Sequence, residues 1–167
     1  MLCCGPEKFY TQHIRDTEEE GTVATIVRHG EAVWKGGLRK GNGRMSTEST
    51  ALSTTPYSFS TRFENEPGTN PEELIAAAHA ACYSMAFAGF LERQGYEPQS
   101  IETRAAISME RQEGGFVILK NRLHVRGQVP GLDAARFEEL AHEADKGCPV
   151  SNLLRNGLEI EIETELL

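Results

Sequence analysis

Positive charge is scarce in this chain of 167 residues: 17 Lys and Arg stand against 25 Asp and Glu, giving a formal net charge of −8. Nucleic-acid binding usually needs a basic stripe, so that class is set aside. No apolar signal region or targeting tail is visible, so a cytoplasmic protein with no membrane partner is expected. Cysteine is sparse too, at positions 3, 4, 82 and 148. Adjacent Cys3 and Cys4 cannot easily bridge each other, and no disulfide-stapled secreted framework is present, so thiol chemistry in a reducing compartment is the better expectation. The glycines around Gly36-Gly37 and Gly41-Asn42-Gly43 lack a following Lys-Ser or Lys-Thr pair, which excludes a phosphate loop. Internal repeats and low-complexity tracts are absent.

What the chain does have is one long uncharged run, Leu74 to Leu91, with Cys82 inside it. Asn70 is a favoured N-cap and Pro71 suits the first helical position. Glu73 completes a capping box, and Glu72 and Glu73 sit at the positive end of the helix dipole. Apolar on every side, the run predicts a buried helix. His79, Ser84 and its many alanines argue against a membrane span.

Strand signals flank this helix. Residues 1–28 lack periodicity and read as an N-terminal extension, with the folded domain over 29–167. Ala32 to Lys35 and Arg44 to Ser49 predict a hairpin across the glycine-rich turn. Tyr57, Phe59, Thr61 and Phe63 alternate with Ser58, Ser60 and Arg62, predicting a third strand over 57–63 with Arg62 opposite the aromatics. Ile101 to Glu110 and Val117 to Arg126 alternate around Gly114-Gly115 as two antiparallel strands. Asp133 can cap a helix with a Phe137, Leu140, Ala141, Ala144 stripe, and Cys148-Pro149 opens a short helical turn. Leu158, Ile160 and Ile162 alternate with glutamates in a final strand. The expected fold class is α+β, a largely antiparallel sheet wrapped around the buried central helix. One sheet cannot cover a helix that is apolar all round, so the leftover surface points to a second subunit.

The cysteines admit ordinary readings. Cys82 alone could pack as a small hydrophobe. Cys148, before Pro149, falls at a helix N-cap where unpaired N–H groups favour a thiolate. His79 with Cys82 and Cys148 could ligate a metal, but the set lacks the close-spaced pair of usual zinc sites.

Several motifs together resemble the OsmC/Ohr family, most of all its OsmC branch: Met45-Ser46-Thr47-Glu48-Ser49, Pro56-Tyr57-Ser58-Phe59-Ser60-Thr61-Arg62-Phe63-Glu64, Gly68-Thr69-Asn70-Pro71-Glu72-Glu73-Leu74-Ile75, Ala77-Ala78-His79-Ala80-Ala81-Cys82 and Gly147-Cys148-Pro149-Val150-Ser151. They run in matching order over roughly residues 29–166, and their combination is far more specific than any one of them. The resemblance implies a thiol-dependent peroxidase acting on organic hydroperoxides, and less well on hydrogen peroxide, in oxidative or osmotic stress. It implies an intertwined homodimer with no cofactor or metal, and a lipoyl-bearing protein as the dithiol reductant. It makes Cys82 the peroxidatic cysteine, Cys148 the resolving one, Arg62 the arginine that stabilises the thiolate and Glu72 the carboxylate that holds it. The sequence matches all four positions, while Arg39 and Arg44 are the alternative arginines.

Those roles make physical sense. A cysteine in an apolar helix has a raised pKa unless a cation is brought to it, and Arg62 offers a permanent charge with a fork of donors. Glu72 lies ten residues before Cys82, ~15 Å along a helix, so it can act on Cys82 only through a bridging arginine or from a second subunit. The other reading is a non-catalytic protein that senses oxidation or seats an apolar ligand.

Overall fold

The computed structural model describes residues 25–167, Leu158 excepted. The fold is α+β, built from two separate three-stranded sheets and a long helix. The first sheet has the order β1-β2-β3, from Gly30–Lys35, Asn42–Thr47 and Thr55–Ser58, all antiparallel. The second has the order β4-β5-β6, from Ser100–Gln112, Gly115–Gln128 and Glu159–Leu166. Here β4 and β5 are antiparallel, but β5 and β6 run parallel. Among the described residues there are four helices, α1 (Phe59–Phe63), α2 (Pro71–Arg93), α3 (Ala134–Asp145) and α4 (Pro149–Arg155). Cys3, Cys4 and most of the expected N-terminal extension lie outside the described residues.

Two local expectations are corrected. The expected strand over 57–63 stops at Ser58, because Ser58 and Thr61 form a reciprocal capping box: the Thr61 N–H donates to Ser58 Oγ at 3.1 Å and the Ser58 N–H to Thr61 Oγ1 at 3.0 Å. Two backbone donors are satisfied at once, which starts α1 and puts Arg62 on a helix. Phe59 and Phe63 serve either period, and as i and i+4 they pack with ring centroids 4.9 Å apart. At Asn70, half of the expected box forms. The Glu73 N–H donates to Asn70 Oδ1 at 2.8 Å, while the Glu73 carboxylate accepts from the Thr69 hydroxyl instead.

The core lies between α2, the second sheet and α3. Tyr83, Phe87 and Leu91, each four residues on, meet Leu123, Val125, Phe137, Leu140 and Ala141. Gly127 lets Phe137 approach, since a Cβ there would come within 2.5 Å of Phe137 Cε2. By length and composition α2 could cross a membrane, but here it supplies one face of this core.

The all-round burial expected of α2 is not present within one chain. Its buried residues are Glu72, His79, Tyr83, Phe87 and Leu91, a single stripe, whereas Ala77, Ala78 and Ala81 are exposed and Met85 is 78 % exposed. At the far end of the β4–β5 hairpin, Phe116, Val117 and Leu119 are also exposed. The register slips between Ser108 and Met109, so Leu119 is the extra residue of a bulge and the strict alternation over 117–125 is broken there.

Candidate active site

The helix that carries Cys82 and the turn that carries Cys148 meet at the core edge. Cys148 caps α4, and its Sγ accepts the Ser151 N–H at 3.5 Å. Pro149 takes the first helical position, where a missing N–H costs nothing. The two sulfurs, 66 residues apart in the chain, lie 3.5 Å apart as free thiols. Cys82 is half-buried and Cys148 fully buried, so a solute reaches Cys82 first.

Burial pushes the Cys82 thiol up from its ordinary value; a hydrogen bond with the Val150 backbone pulls it down, and Cys148 pushes it up again. The first turn of α4 thus turns backbone donors toward both sulfurs, as an anion at a helix N-terminus requires.

Arg62 and Glu72 also meet, but elsewhere. Arg62 Nε lies 3.0 and 3.1 Å from the two Glu72 oxygens, and Nη2 lies 2.6 Å from Oε1. The Glu72 side chain is 11 % exposed and that of Arg62 36 %. The guanidinium also lies over the Phe63 ring, 4.8 Å from its centroid. Since Glu72 and Cys82 sit ten residues apart on α2, the ion pair and the thiol pair are separated by ~15 Å along the helix. The structure therefore joins the four expected residues two by two and does not bring the pairs together within one chain. The alternative arginines are engaged elsewhere: Arg39 lies over the Phe59 ring, and Arg44 Nη1 donates to the Thr54 carbonyl at 3.0 Å.

His79 is fully buried with both ring nitrogens occupied, Nε2 at 2.7 Å from Ser151 Oγ and Nδ1 at 2.5 Å from Asn121 Nδ2. That removes it from the metal set with Cys82 and Cys148. Among the described residues no cluster of three His, Cys, Asp or Glu side chains could hold a metal. Burial lowers the His79 pKa, opposed by Asp145, which keeps the ring neutral at neutral pH. Asp145 itself accepts from Arg155 Nη2 at 2.6 Å, spanning the connection that carries Cys148. Ser151, Asn121 and Val150 are absent from the sequence-based list of site residues. Asn121 had a signal: it is a polar residue in phase with the apolar Leu123 and Val125.

Two free thiols at this separation, one open to solutes and one sealed at a helix N-terminus, define a thiol-redox protein. Comparison with known proteins narrows the class. A family model described as OsmC-like protein matches residues 63–163. Peroxiredoxin OsmC of Escherichia coli K12 is 46% identical over 139 residues, covering 83% of this chain and 97% of that protein. Organic hydroperoxide resistance protein OhrB of Bacillus subtilis is 32% identical over 101 residues, 60% of this chain and 72% of that one. The crystal structure of Bacillus subtilis OhrB superposes with a TM-score of 0.65 at 26% identity, covering 82% of this chain and 98% of that chain. The chain belongs to the OsmC-like family.

Proposed function

We propose that the protein is a thiol-dependent peroxidase that reduces organic hydroperoxides in a stress response, with Cys82 peroxidatic and Cys148 resolving. The observation that carries this reading is the 3.5 Å pair of free thiols, of which only Cys82 is open to a solute. The Cys82 thiolate attacks the terminal peroxide oxygen, the O–O bond breaks, and the alkoxide leaves as alcohol after taking a proton. Cys82 is left as a sulfenic acid. Cys148 then condenses with it, forming the disulfide and releasing water. A dithiol returns both cysteines to thiols by exchange, and a lipoyl-bearing protein of the reducing cytoplasm is the reductant we assign.

Cys82 needs a cation to ionise, because burial alone raises its pKa. Arg62, held by Glu72, is the group we assign. The ~15 Å between the pairs means that it would serve the Cys82 of a second copy. Support for such a homodimer comes from the open face of α2 at Ala77, Ala78, Ala81 and Met85, and from the exposed apolar tip of the β4–β5 hairpin. The test is a steady-state assay with an organic hydroperoxide, comparing dihydrolipoamide, thioredoxin and glutathione. Turnover with dihydrolipoamide well above the other two is expected. No turnover with any dithiol would overturn the peroxidase reading.

A further inference from the structure

Resolution makes a demand that peroxide attack does not. A disulfide bond is about 2.05 Å long, so Cys148 Sγ must close about 1.5 Å on Cys82 from its 3.5 Å separation. The two sulfurs belong to different elements, α2 and α4, and no covalent link holds those elements in register before the bond forms. A buried polar chain does so. His79 lies one turn before Cys82 on α2, and Ser151 lies three residues after Cys148 on α4. The His79–Ser151 hydrogen bond therefore joins the same two helical turns that the disulfide will join.

Asn121, from β5, holds the ring from its other edge. With the Asn121 amide donating to Nδ1, the ring proton sits on Nε2 and is donated to Ser151 Oγ. The Ser151 N–H meanwhile reaches Cys148 Sγ. One residue thus contacts both the imidazole and the resolving sulfur. All three side chains are fully buried beside an apolar core, where polar groups are costly unless paired and restrict the packing to one arrangement when they are.

We infer that His79, acting through Ser151 and held by Asn121, is a positioning residue for disulfide formation, fixing the first turn of α4 so that Cys148 meets the Cys82 sulfenic acid before a second peroxide does. The inference rests on the roles assigned above to Cys82 and Cys148. In the step concerned, the S–S bond forms, the Cys82 S–O bond breaks, and the Cys148 thiol proton leaves with the hydroxide as water. If Cys148 is misplaced, a second peroxide oxidises the sulfenic acid to sulfinic acid, releasing a second alcohol.

The test uses the full chain in three variants, Ser151→Ala, His79→Leu and His79→Gln. Each is treated with graded hydroperoxide without reductant, and mass spectrometry reads the ratio of disulfide to sulfinic acid. Ser151→Ala keeps the backbone N–H to Cys148 and loses only the hydroxyl. In Ser151→Ala and His79→Leu the ratio should fall about tenfold, the scale of one net hydrogen bond. His79→Gln, whose amide can donate from the place of Nε2, should recover most of it. Thermal melts accompany each variant. A lower melting temperature with an unchanged ratio would mean a purely structural network and overturn the inference. Should His79→Leu fail to fold, Ser151→Ala alone decides. Wild-type protein that forms no Cys82–Cys148 disulfide would instead refute the assigned roles, and the inference with them.

Discussion

Replacing Arg62 by Met tests the electrostatics of the site most sharply. The substitution keeps an apolar stem of similar length, removes the charge, and strands the largely buried Glu72 carboxylate. Breaking a fully buried ion pair costs about 3–5 kcal/mol, but Arg62 is 36 % exposed, so solvent screening brings the expected stability loss to roughly 1–2 kcal/mol. The functional effect is larger. In the homodimer proposed above, an Arg62 charge brought to about 4 Å from the second copy's thiolate would contribute at most about 4 kcal/mol at an effective dielectric near 20. Screening and the Val150 hydrogen bond reduce that contribution, and its loss adds to the upward push that burial already exerts on the Cys82 thiol. The assay is the pH dependence of Cys82 alkylation by iodoacetamide, followed by mass spectrometry in wild type and variant. The sign is fixed: removing a cation disfavours the thiolate, so the midpoint moves up and attack at neutral pH slows. An unmoved midpoint would refute the role of Arg62 and send the search to Arg39 and Arg44.

Cys148→Ser should consume about one peroxide per site and then stall with Cys82 as sulfenic or sulfinic acid; sustained turnover, or an unmodified Cys82 by mass spectrometry, would contradict the resolving role. Ala81→Glu should abolish assembly and activity together. Ala81 is exposed on the single chain, so a folded, active monomer in sedimentation would remove the homodimer. His79 gives a pH signature, because burial lowers its pKa from the ordinary 6.5. Below 6.5 the unfolded chain takes up a proton that the folded one resists, so stability falls as pH drops, by at most about 1.4 kcal/mol per pH unit. His79→Gln should flatten that slope in urea melts at pH 7 and pH 5, and an equal slope would show that His79 is not its source.

What was legible in the sequence was local. Asn70-Pro71 marks the start of α2, Cys148-Pro149 marks a helix N-cap, and the stripe Phe137, Leu140, Ala141, Ala144 faces the core as its spacing requires. Aromatics at 57, 59 and 63 fit a period of two and so point to a strand for Arg62, while the Ser58–Thr61 box that starts α1 is a side-chain competition that periodicity does not register. The direction of β6 was also hidden, since alternation looks the same in parallel and antiparallel pairing. The partners of His79 come from residues 42 and 72 positions away, and the sulfurs from residues 66 apart; no local pattern encodes such contacts. The apolar circumference of α2 predicts burial on all sides, but one chain covers one stripe, and no sequence pattern says what meets the rest.

The most direct measurement compares wild type with Cys82→Ser in a steady-state assay with tert-butyl hydroperoxide and dihydrolipoamide, with circular dichroism as the check on folding. Serine nearly matches the volume of cysteine but lacks a nucleophile of usable pKa at neutral pH. Steady turnover by the wild type and none by the folded variant is the expected result. Comparable turnover by Cys82→Ser would contradict the claim that this thiol reduces the peroxide.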